Sequence, residues 1–521
     1  MHIPSPDPAA SLLDALRTLR AQAQLTPTEA EHLARQAAAL FREHYTKAQA
    51  YLPDAITLLA ELATDPDPAL SQVGTAHLFP ELVEWSADWF NPDYCRLYDR
   101  LFAQVIDVCR RLPGCREMNF TLHGYGLPDT DAFLARREAL QAPRPRIHPE
   151  AERVAKALFL SRVTFGAEVA VTSVALGAVR QLFPDAELVL LGAPAAGQLF
   201  AGLPNFRVQD AHYPRGGALL DRLNSWPRLT QTVADELAGL DANEYLVIDP
   251  DSRLTQLGLL PVTTNKSRYL FFESRSYGSA DEAAPEGDAG VPPGDAPAAT
   301  ISRLTARWLA ECFHGLDADQ LLPFVHLAAK HTALRDALRD RRPLACVSFG
   351  VGGNDRKRVG ERFERALLAT LLDARARVLL VKGVGAEVAR TAAHLEALRA
   401  QGAEVIEVSA NTAADLPAPA RLRRANVIAW EGELGAFCAV IAAAHVYIGY
   451  DSGGSHIAAA QGVPVIDIFA DDSIPMVATR WTPTGPAPVH VIRHYEAPTE
   501  TLDRALAAYW DAVAFGGRGS S

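Results

Sequence analysis

The sequence predicts an α/β protein in which two doubly wound, Rossmann-like domains follow an all-helical N-terminal region. Three observations predict this class. Residues 1–150 carry helical patterns without strand-like runs. Beyond them, short apolar runs alternate with helical segments, which is typical of βαβ units in parallel sheets. A charged stretch at 335–342 separates two such series, so we place the domains at 1–150, 151–342 and 343–521.

Composition excludes several classes of protein. A net charge of −12 over 521 residues opposes general nucleic-acid binding, which requires a basic surface. The six cysteines lack metal-ligand spacing and are typical of reduced thiols. The N-terminus has no basic segment followed by an apolar core, and no apolar run is long enough to span a bilayer. We therefore expect a soluble, cytoplasmic protein.

The helical N-terminal region has clear local signals but no chemical motif. Thr26 to Glu29 form a capping box with proline at the first helical position, which predicts a helix through about residue 45. Its aromatic residues are interpreted as packing residues. By analogy with other helical modules that precede enzymes, this region is expected to mediate oligomerisation or partner binding.

The first βαβ unit places an acidic residue at a helix start. Residues 162–165 are predicted as a strand, 169–182 as a helix and 187–191 as the next strand. Glu168 opens the helix, where the dipole favours a carboxylate. Two interpretations remain: a favourable terminal charge, or a catalytic carboxylate that faces a cleft.

Polar residues later in this domain are predicted to line a second wall of the cleft. Residues 213–226, with Arg215, have the composition of a loop, and residues 245–248 form a strand. Because ligands bind beyond the carboxyl ends of parallel strands, the residues after that strand are candidates for this wall unless they only form a turn. They are Asp249, Asp251 and Arg253. Residues 276–300 are predicted to be a flexible insertion.

The second series begins with a strand at 344–349, followed by a glycine-rich turn and Lys357. Glycines and a lysine after a strand indicate a phosphate contact, although the spacing matches neither usual nucleotide fingerprint. Further strands are predicted at 378–381, 405–408 and 427–430. Glu387 lies at the start of a helix in this series.

The most informative stretch is a strand–turn–helix–strand at 446–469. A buried strand ends at Asp451, and a turn of small residues leads into a short helix that includes His456. The turn comprises Ser452, Gly453, Gly454 and Ser455. Amides at a helix N-terminus favour a phosphate or pyrophosphate. The alternative is an ordinary glycine-rich βαβ crossover; we favour a site, because an aspartate, serines, glycines and a histidine occur together.

This stretch resembles the donor-site signature of the ADP-heptose lipopolysaccharide heptosyltransferases, glycosyltransferase family 9, which have the GT-B fold. The resemblance spans about residues 155–515. It implies two Rossmann-like domains that face a cleft, and inverting, metal-independent sugar transfer. It also implies that Glu168 is the base, that Lys357 and the 452–455 amides hold the diphosphate, that Glu387 contacts the ribose, and that Asp451 and His456 grip the donor. Two departures are a glutamate where the family has aspartate, and Ala470-Asp471 where it has glycine and proline.

The predicted function is therefore glycosyl transfer, with heptose moving from ADP-heptose to a hydroxyl of a glycan, the lipopolysaccharide core or a protein. Alternatives are a GT-B-like sugar-nucleotide epimerase or hydrolase, and a non-catalytic nucleotide-binding scaffold. The resemblance implies no metal and no cofactor besides the nucleotide sugar, which is expected to be an ADP-sugar. Peripheral membrane association is left open, and no nucleic-acid partner is expected.

Overall fold

The fold was examined in a computed structural model that describes residues 7–87, 89–214, 217–278, 290–291, 300–339, 342–470, 474–494 and 497–518. Among the helices of these ranges, none combines the length and the apolar character needed to cross a bilayer. The six cysteines form no disulfide.

The N-terminal region is helical, as predicted. Thr26 caps the second helix: its hydroxyl accepts a hydrogen bond from the Glu29 amide at 3.3 Å, and the Glu29 carboxylate accepts one from the Thr26 amide at 2.8 Å. The helices are α1 Ala10–Ala21, α2 Pro27–Ala48, α3 Pro53–Ala63, α4 Pro68–Leu78, α5 Trp85–Ala87, α6 Pro92–Cys109, α7 Arg116–Gly124 and α8 Thr130–Gln141, with a π-helical turn at Phe79–Glu84.

A first parallel sheet follows. Its elements are β1 Lys156–Leu160, α9 Phe165–Ala167, a π-helical turn Glu168–Thr172, α10 Ser173–Leu182, β2 Glu187–Gly192, β3 Phe206–Asp210 and β4 Tyr245–Asp249. β1 lies between β2 and β4, and β3 pairs with the outer edge of β2. The strand predicted at 162–165 was wrong. The buried apolar residues 157–160 form the strand, and Val163 adopts a left-handed backbone with φ 71° in the turn that follows.

The prediction of a loop at residues 213–226 was wrong for residues 219–226, which belong to a helix. Helix α11 spans Leu219–Glu236, and Asp221 accepts a hydrogen bond from the Ala218 amide at 3.1 Å at its start. Its apolar residues recur at helical spacing and are buried, and the Trp226 indole donates to the Pro261 carbonyl at 2.7 Å. The helical spacing of the apolar residues was therefore a better predictor of this segment than its polar composition. Strands β5 Tyr269–Phe271 and β6 Gly290–Val291 and helices α12 Ile301–Cys312 and α13 Ala329–Leu338 follow.

The second sheet is doubly wound and confirms the fold class. In spatial order its strands are β6, β13, β12, β11, β7, β8, β10 and β9, all parallel except β6 against β13. Its elements are β7 Leu344–Ser348, α14 Glu361–Asp373, β8 Arg377–Val381, α15 Ala386–Ala400, β9 Val405–Ser409, α16 Pro419–Arg424, β10 Val427–Glu431, α17 Leu434–Ala443, β11 Val446–Tyr450, α18 Gly453–Ala460, β12 Val465–Phe469, α19 Pro475–Arg480, β13 Val489–Arg493 and α20 Pro498–Arg518.

The chain divides into two compact units. The first comprises residues 1–144, 211–242 and 251–279, and the second comprises 145–210, 243–250 and 280–521. Strands β1 to β4 and all strands of the second sheet belong to the second unit, and β5 belongs to the first. The domain boundaries predicted at 150 and 342 stay predictions. Most of the predicted insertion at 276–300 lies outside the described residues, as do Arg215 and Asp471.

Candidate active site

The turn after β11 has the predicted strand–turn–helix form. Ser452 has extended backbone, with φ −158° and ψ 174°, and α18 begins at Gly453. The first amides of a helix have no partner within the helix. The Ser455 amide donates to the Ser452 carbonyl at 3.2 Å. The first-turn amides of Gly453 and Gly454 are therefore the ones best placed to receive an anionic ligand.

Glycine is required at position 454 by a buried tyrosine beneath the turn. A Cβ built on Gly454 would lie 2.0 Å from the Tyr447 hydroxyl oxygen, far inside van der Waals contact. Tyr447 lies in β11 and is fully buried. The close approach of strand and helix, rather than an unusual backbone angle, therefore explains this glycine.

Lys357 is brought to this turn from another loop. It ends the short 3-10 helix Asp355–Lys357 after β7, and its ammonium lies 2.5 Å from a carboxylate oxygen of Asp451. It also donates to the Asp451 carbonyl at 3.4 Å. The side chain of Lys357 retains about a third of its exposure, so its charge can reach a ligand above the turn. The predicted cluster of Lys357 and the 451–456 turn therefore forms in the structure.

His456 lies inside this cluster and is almost fully buried. Burial lowers the pKa of its imidazole to about 4, with Lys357 adding to the effect and Asp451 opposing it. The ring packs edge-on against Trp481 at 5.9 Å. A Cβ on Gly166, in the turn after β1, would lie 3.2 Å from its Cδ2 atom. At neutral pH His456 is therefore a neutral imidazole that donates one N–H at most.

Glu387 organises backbone in this structure. Its carboxylate oxygens accept hydrogen bonds from the amides of Val351 at 2.9 Å and Val384 at 3.0 Å. These amides belong to the loops after β7 and β8, so one side chain joins two loops at the C-terminal edge of the sheet. A Cβ on Gly383, where φ is +75°, would lie 2.5 Å from this carboxylate. The predicted ribose contact stays a prediction.

Glu168 is fully buried at the start of its π-helical turn. Its Oε1 atom accepts hydrogen bonds from the Ser161 hydroxyl and from the Val163 amide, the latter at 3.0 Å. Burial raises the pKa of this carboxyl, and hydrogen bonds, that of Ser161 first, oppose the rise. In this conformation the carboxylate stabilises the turn after β1 and is closed to solvent. Its role as a base stays a prediction.

The candidates for a second, acceptor-side wall of the cleft fall in different parts of the chain. Asp249 ends β4 in the second unit and is fully buried. Asp251 and Arg253 belong to the first unit, where the Asp251 carboxylate accepts hydrogen bonds from Ser274 at 2.7 Å and Arg275 at 3.3 Å. Asp251 is therefore part of a buried ionic network, and a role for these residues toward an acceptor stays a prediction.

Two buried acids beneath the site were not predicted. Asp467 in β12 accepts a hydrogen bond from the Ser455 hydroxyl at 2.7 Å, and burial raises the pKa of its carboxyl well above the ordinary value. Glu364 in α14 is also fully buried. Asp467 could have been found from the sequence, because it interrupts the apolar run 465–469. Glu364 had no such signal, because it is one of two acids in the first turn of its helix, where acidic residues are common.

No metal site is evident in the part of the chain that the structure describes, where no three histidine, cysteine, aspartate or glutamate side chains are grouped to hold an ion. Metal independence of the reaction is a separate matter and stays a prediction.

Comparison with known proteins places this turn inside a known domain. Residues 395–505 match the sequence model of the family described as glycosyltransferase family 9 (heptosyltransferase), a range that includes Asp451 and His456. The chain therefore carries a glycosyltransferase domain of that family. Among proteins of curated function, none is detectably similar in sequence.

Several solved structures are similar over most of their own length. A family 9 glycosyl transferase from Veillonella parvula is 11% identical, with TM-score 0.47, covering 70% of this chain and 98% of that chain. Heptosyltransferase WaaC of E. coli with ADP is 17% identical, with TM-score 0.43, and the match covers 68% of this chain and 98% of that chain. ADP-heptose lps heptosyltransferase II of E. coli is 15% identical, with TM-score 0.40, and the match covers 68% of this chain and 99% of that chain. Each TM-score is below 0.5, so the assignment rests on the family match and the geometry of the turn.

Proposed function

We propose that this protein, which carries a glycosyltransferase family 9 domain, transfers a sugar from a nucleoside-diphosphate donor to a hydroxyl acceptor. One observation carries the proposal: the Lys357 ammonium meets Asp451 beside the first-turn amides of α18, at the C-terminal edge of a parallel sheet. A cation and helix N-terminal amides are the groups that bind a diphosphate. The family match covers the turn that supplies those amides.

The donor we propose is an ADP-sugar, specifically ADP-heptose. The description of the matching family favours heptose, and the resemblance of the turn to ADP-heptose enzymes favours adenine. The chain as a whole carries a charge of −12, which opposes an anionic donor at long range. Binding must therefore come from local groups, and Lys357 is the cation that lies at the turn.

In the proposed reaction the acceptor hydroxyl oxygen attacks the anomeric carbon and the bond to the diphosphate oxygen breaks, with inversion. Negative charge then grows on the diphosphate, where Lys357 and the amides of Gly453 and Gly454 stabilise it. The acceptor proton passes to a carboxylate, and Glu168 is the proposed base. Because Glu168 is sealed beneath the turn at 161–167, that turn has to open before the carboxylate meets an acceptor. The proposal requires no metal.

Titration calorimetry with ADP, UDP, GDP and CDP tests donor recognition. We expect ADP to bind best, and Lys357→Ala to weaken ADP binding by about 10- to 100-fold, because a hydrogen bond to a charged group contributes roughly 1.5–3 kcal/mol. Lys156→Ala is the matched control. Lys156 also forms an ion pair, with Glu187 at 3.3 Å, but it is the first residue of β1 and therefore lies at the N-terminal end of the strands of the first sheet.

Turnover separates the proposal from its alternatives. A transferase releases ADP from ADP-heptose when a hydroxyl acceptor is present, whereas an epimerase or hydrolase turns over without one. Nucleotide binding without turnover under either condition would indicate a scaffold. Equal ADP affinity in the wild type and in Lys357→Ala would show that the diphosphate does not bind at this turn.

A further inference from the structure

A single buried carboxylate joins three segments of the candidate site. Glu364 lies in the first turn of α14 and is fully buried. It accepts hydrogen bonds from Arg358 Nε at 3.0 Å and Nη2 at 2.7 Å, from the Tyr450 hydroxyl at 3.0 Å and from His394 Nε2 at 2.8 Å. Its two oxygens thus receive four bonds. Burial raises the pKa of this carboxyl, but the bonds from His394 and Arg358 outweigh burial and hold the pKa below its ordinary value.

Each of these donors is close in sequence to a predicted site residue. Arg358 directly follows Lys357, and Tyr450 directly precedes Asp451. His394 lies in α15, the helix whose first turn contains Glu387. The donors come from distant parts of the sequence, since Tyr450 is 86 residues and His394 is 30 residues from Glu364. The carboxylate therefore connects the loop after β7, the end of β11 and helix α15.

The connection is rigid because it is packed as well as bonded. The Phe349 ring, at the end of β7, contacts the His394 ring at 5.7 Å and the Tyr450 ring at 5.9 Å. Phe349 and Tyr450 also belong to the hydrophobic core of the sheet. Removing the carboxylate charge would leave the part-buried Arg358 guanidinium without its ion partner, which is costly in a desolvated site. Arg358 would then have to move, and Lys357 lies next to it.

We infer that Glu364 is a positioning residue that holds Lys357 against Asp451 and so sets the affinity for the diphosphate of the donor. Glu364 itself is closed to solvent, so it would act on a ligand only through its neighbours. The part of the inference that concerns affinity rests on the proposed function. The part that concerns the Lys357–Asp451 contact does not.

The deciding measurement is the reactivity of the Lys357 amine. Brief treatment with acetic anhydride, followed by mass spectrometry of the peptide that contains Lys357, gives its acylation rate without any nucleotide. In the wild type the amine is paired with Asp451 and should react slowly. In Glu364→Gln, which keeps the size but loses the charge, we expect at least threefold faster acylation. Glu187→Gln, which removes an ion-paired carboxylate at the start of β2, should leave the rate unchanged.

ADP affinity supplies the second measurement. We expect Glu364→Gln to bind ADP at least tenfold more weakly than the wild type. If Glu364 acts through Lys357, adding Glu364→Gln to Lys357→Ala should cause little further loss, whereas independent effects would multiply. If wild-type protein binds no ADP, the proposed transferase function fails, and the acylation rate still decides the positioning role.

A second variant protects the test against misfolding. Tyr450→Phe removes one hydrogen bond to Glu364 and keeps the ring that packs in the core, so it should fold, and we expect about twofold faster acylation of Lys357. If Glu364→Gln retains the wild-type circular dichroism spectrum and Lys357 reacts at the wild-type rate, the inference is wrong. If Glu364→Gln does not fold, an unchanged rate in Tyr450→Phe overturns it in the same way.

Discussion

The neutral state of His456 leads to a sharp prediction about pH. Burial lowers the pKa of this imidazole from 6.5 to about 4, because the charged ring would lose its hydration. Asp451 and Lys357 are the charged groups that act on it, in opposite directions. The unfolded chain therefore binds a proton at His456 below about pH 6.5, while the folded chain remains neutral there until about pH 4.

This difference sets the sign and the size of the effect. Between these pH values the unfolded state binds more protons than the folded state, so the free energy of unfolding falls as the pH falls. The loss begins near pH 6.5 and is complete below about pH 4. The lowering of the His456 pKa corresponds to about 3 kcal/mol of unfolding free energy in total. His456→Gln removes the titrating group and should remove this part of the pH dependence.

Hydrogen exchange measured by mass spectrometry suits a chain of two compact units, because it reports the opening free energy of α18 alone. Between pH 7 and pH 4, we expect the opening free energy of the peptide that contains α18 to fall by about 3 kcal/mol more in the wild type than in His456→Gln. His123→Gln, at an exposed position of α7, is the matched control and should follow the wild type. Equal pH dependence in wild type and His456→Gln, or a histidine NMR titration midpoint near 6.5 for His456, would refute the reasoning.

Three further predictions concern neighbouring residues. Gly454→Ala should lower the stability of the second unit by about 1–3 kcal/mol in thermal melts, because its Cβ would overlap the buried Tyr447 hydroxyl; an unchanged melting temperature would contradict the close approach. Glu168→Gln should lower kcat for sugar transfer by about 100-fold or more with ADP affinity unchanged, and a wild-type rate would leave Glu168 as a turn-stabilising residue. Burial raises the pKa of Asp467, so this carboxyl contributes stability that is lost as the pH rises above 3.8, opposite in sign to the contribution of His456. Asp467→Asn, whose side chain can still pair with Ser455, lacks that contribution, so in melts at pH 4 and pH 7 the wild type should lose stability relative to this variant as the pH rises.

The second sheet was predictable because its signals are local. Each predicted strand is an apolar run of about five residues between turn formers, and 427–431, 446–450 and 465–469 are strands in the structure. The first sheet was less predictable at one point. Residues 162–165 contain strand-forming side chains, but residues 157–160 are the more apolar run and are the ones that pair with β2 and β4.

Candidate site residues could be listed from the sequence, but the contacts between them could not be predicted. Lys357 and Asp451 lie 94 residues apart, and nothing local to either residue indicates that they touch. Glu364 is harder still, since a glutamate in the first turn of an amphipathic helix is usually solvated. Its burial follows from three donors on other elements, and only the assembled sheet brings them together.

Three buried acids bear on how, under the proposed function, an acidic protein would bind an acidic ligand. Glu364, Glu387 and Asp467 all lie beneath the loops at the C-terminal edge of the second sheet, but none presents an ionised, unpaired carboxylate there. Glu364 is neutralised by Arg358, Glu387 accepts two backbone amides, and the raised pKa of Asp467 favours its uncharged form. Their charge is thus used to fix loop geometry, while the Lys357 side chain keeps about a third of its exposure beside the first turn of α18. Under the proposed function, affinity for a diphosphate would then depend on how firmly Lys357 and the first-turn amides of α18 are held, and a fully buried residue such as Glu364 would set that affinity without contacting the ligand.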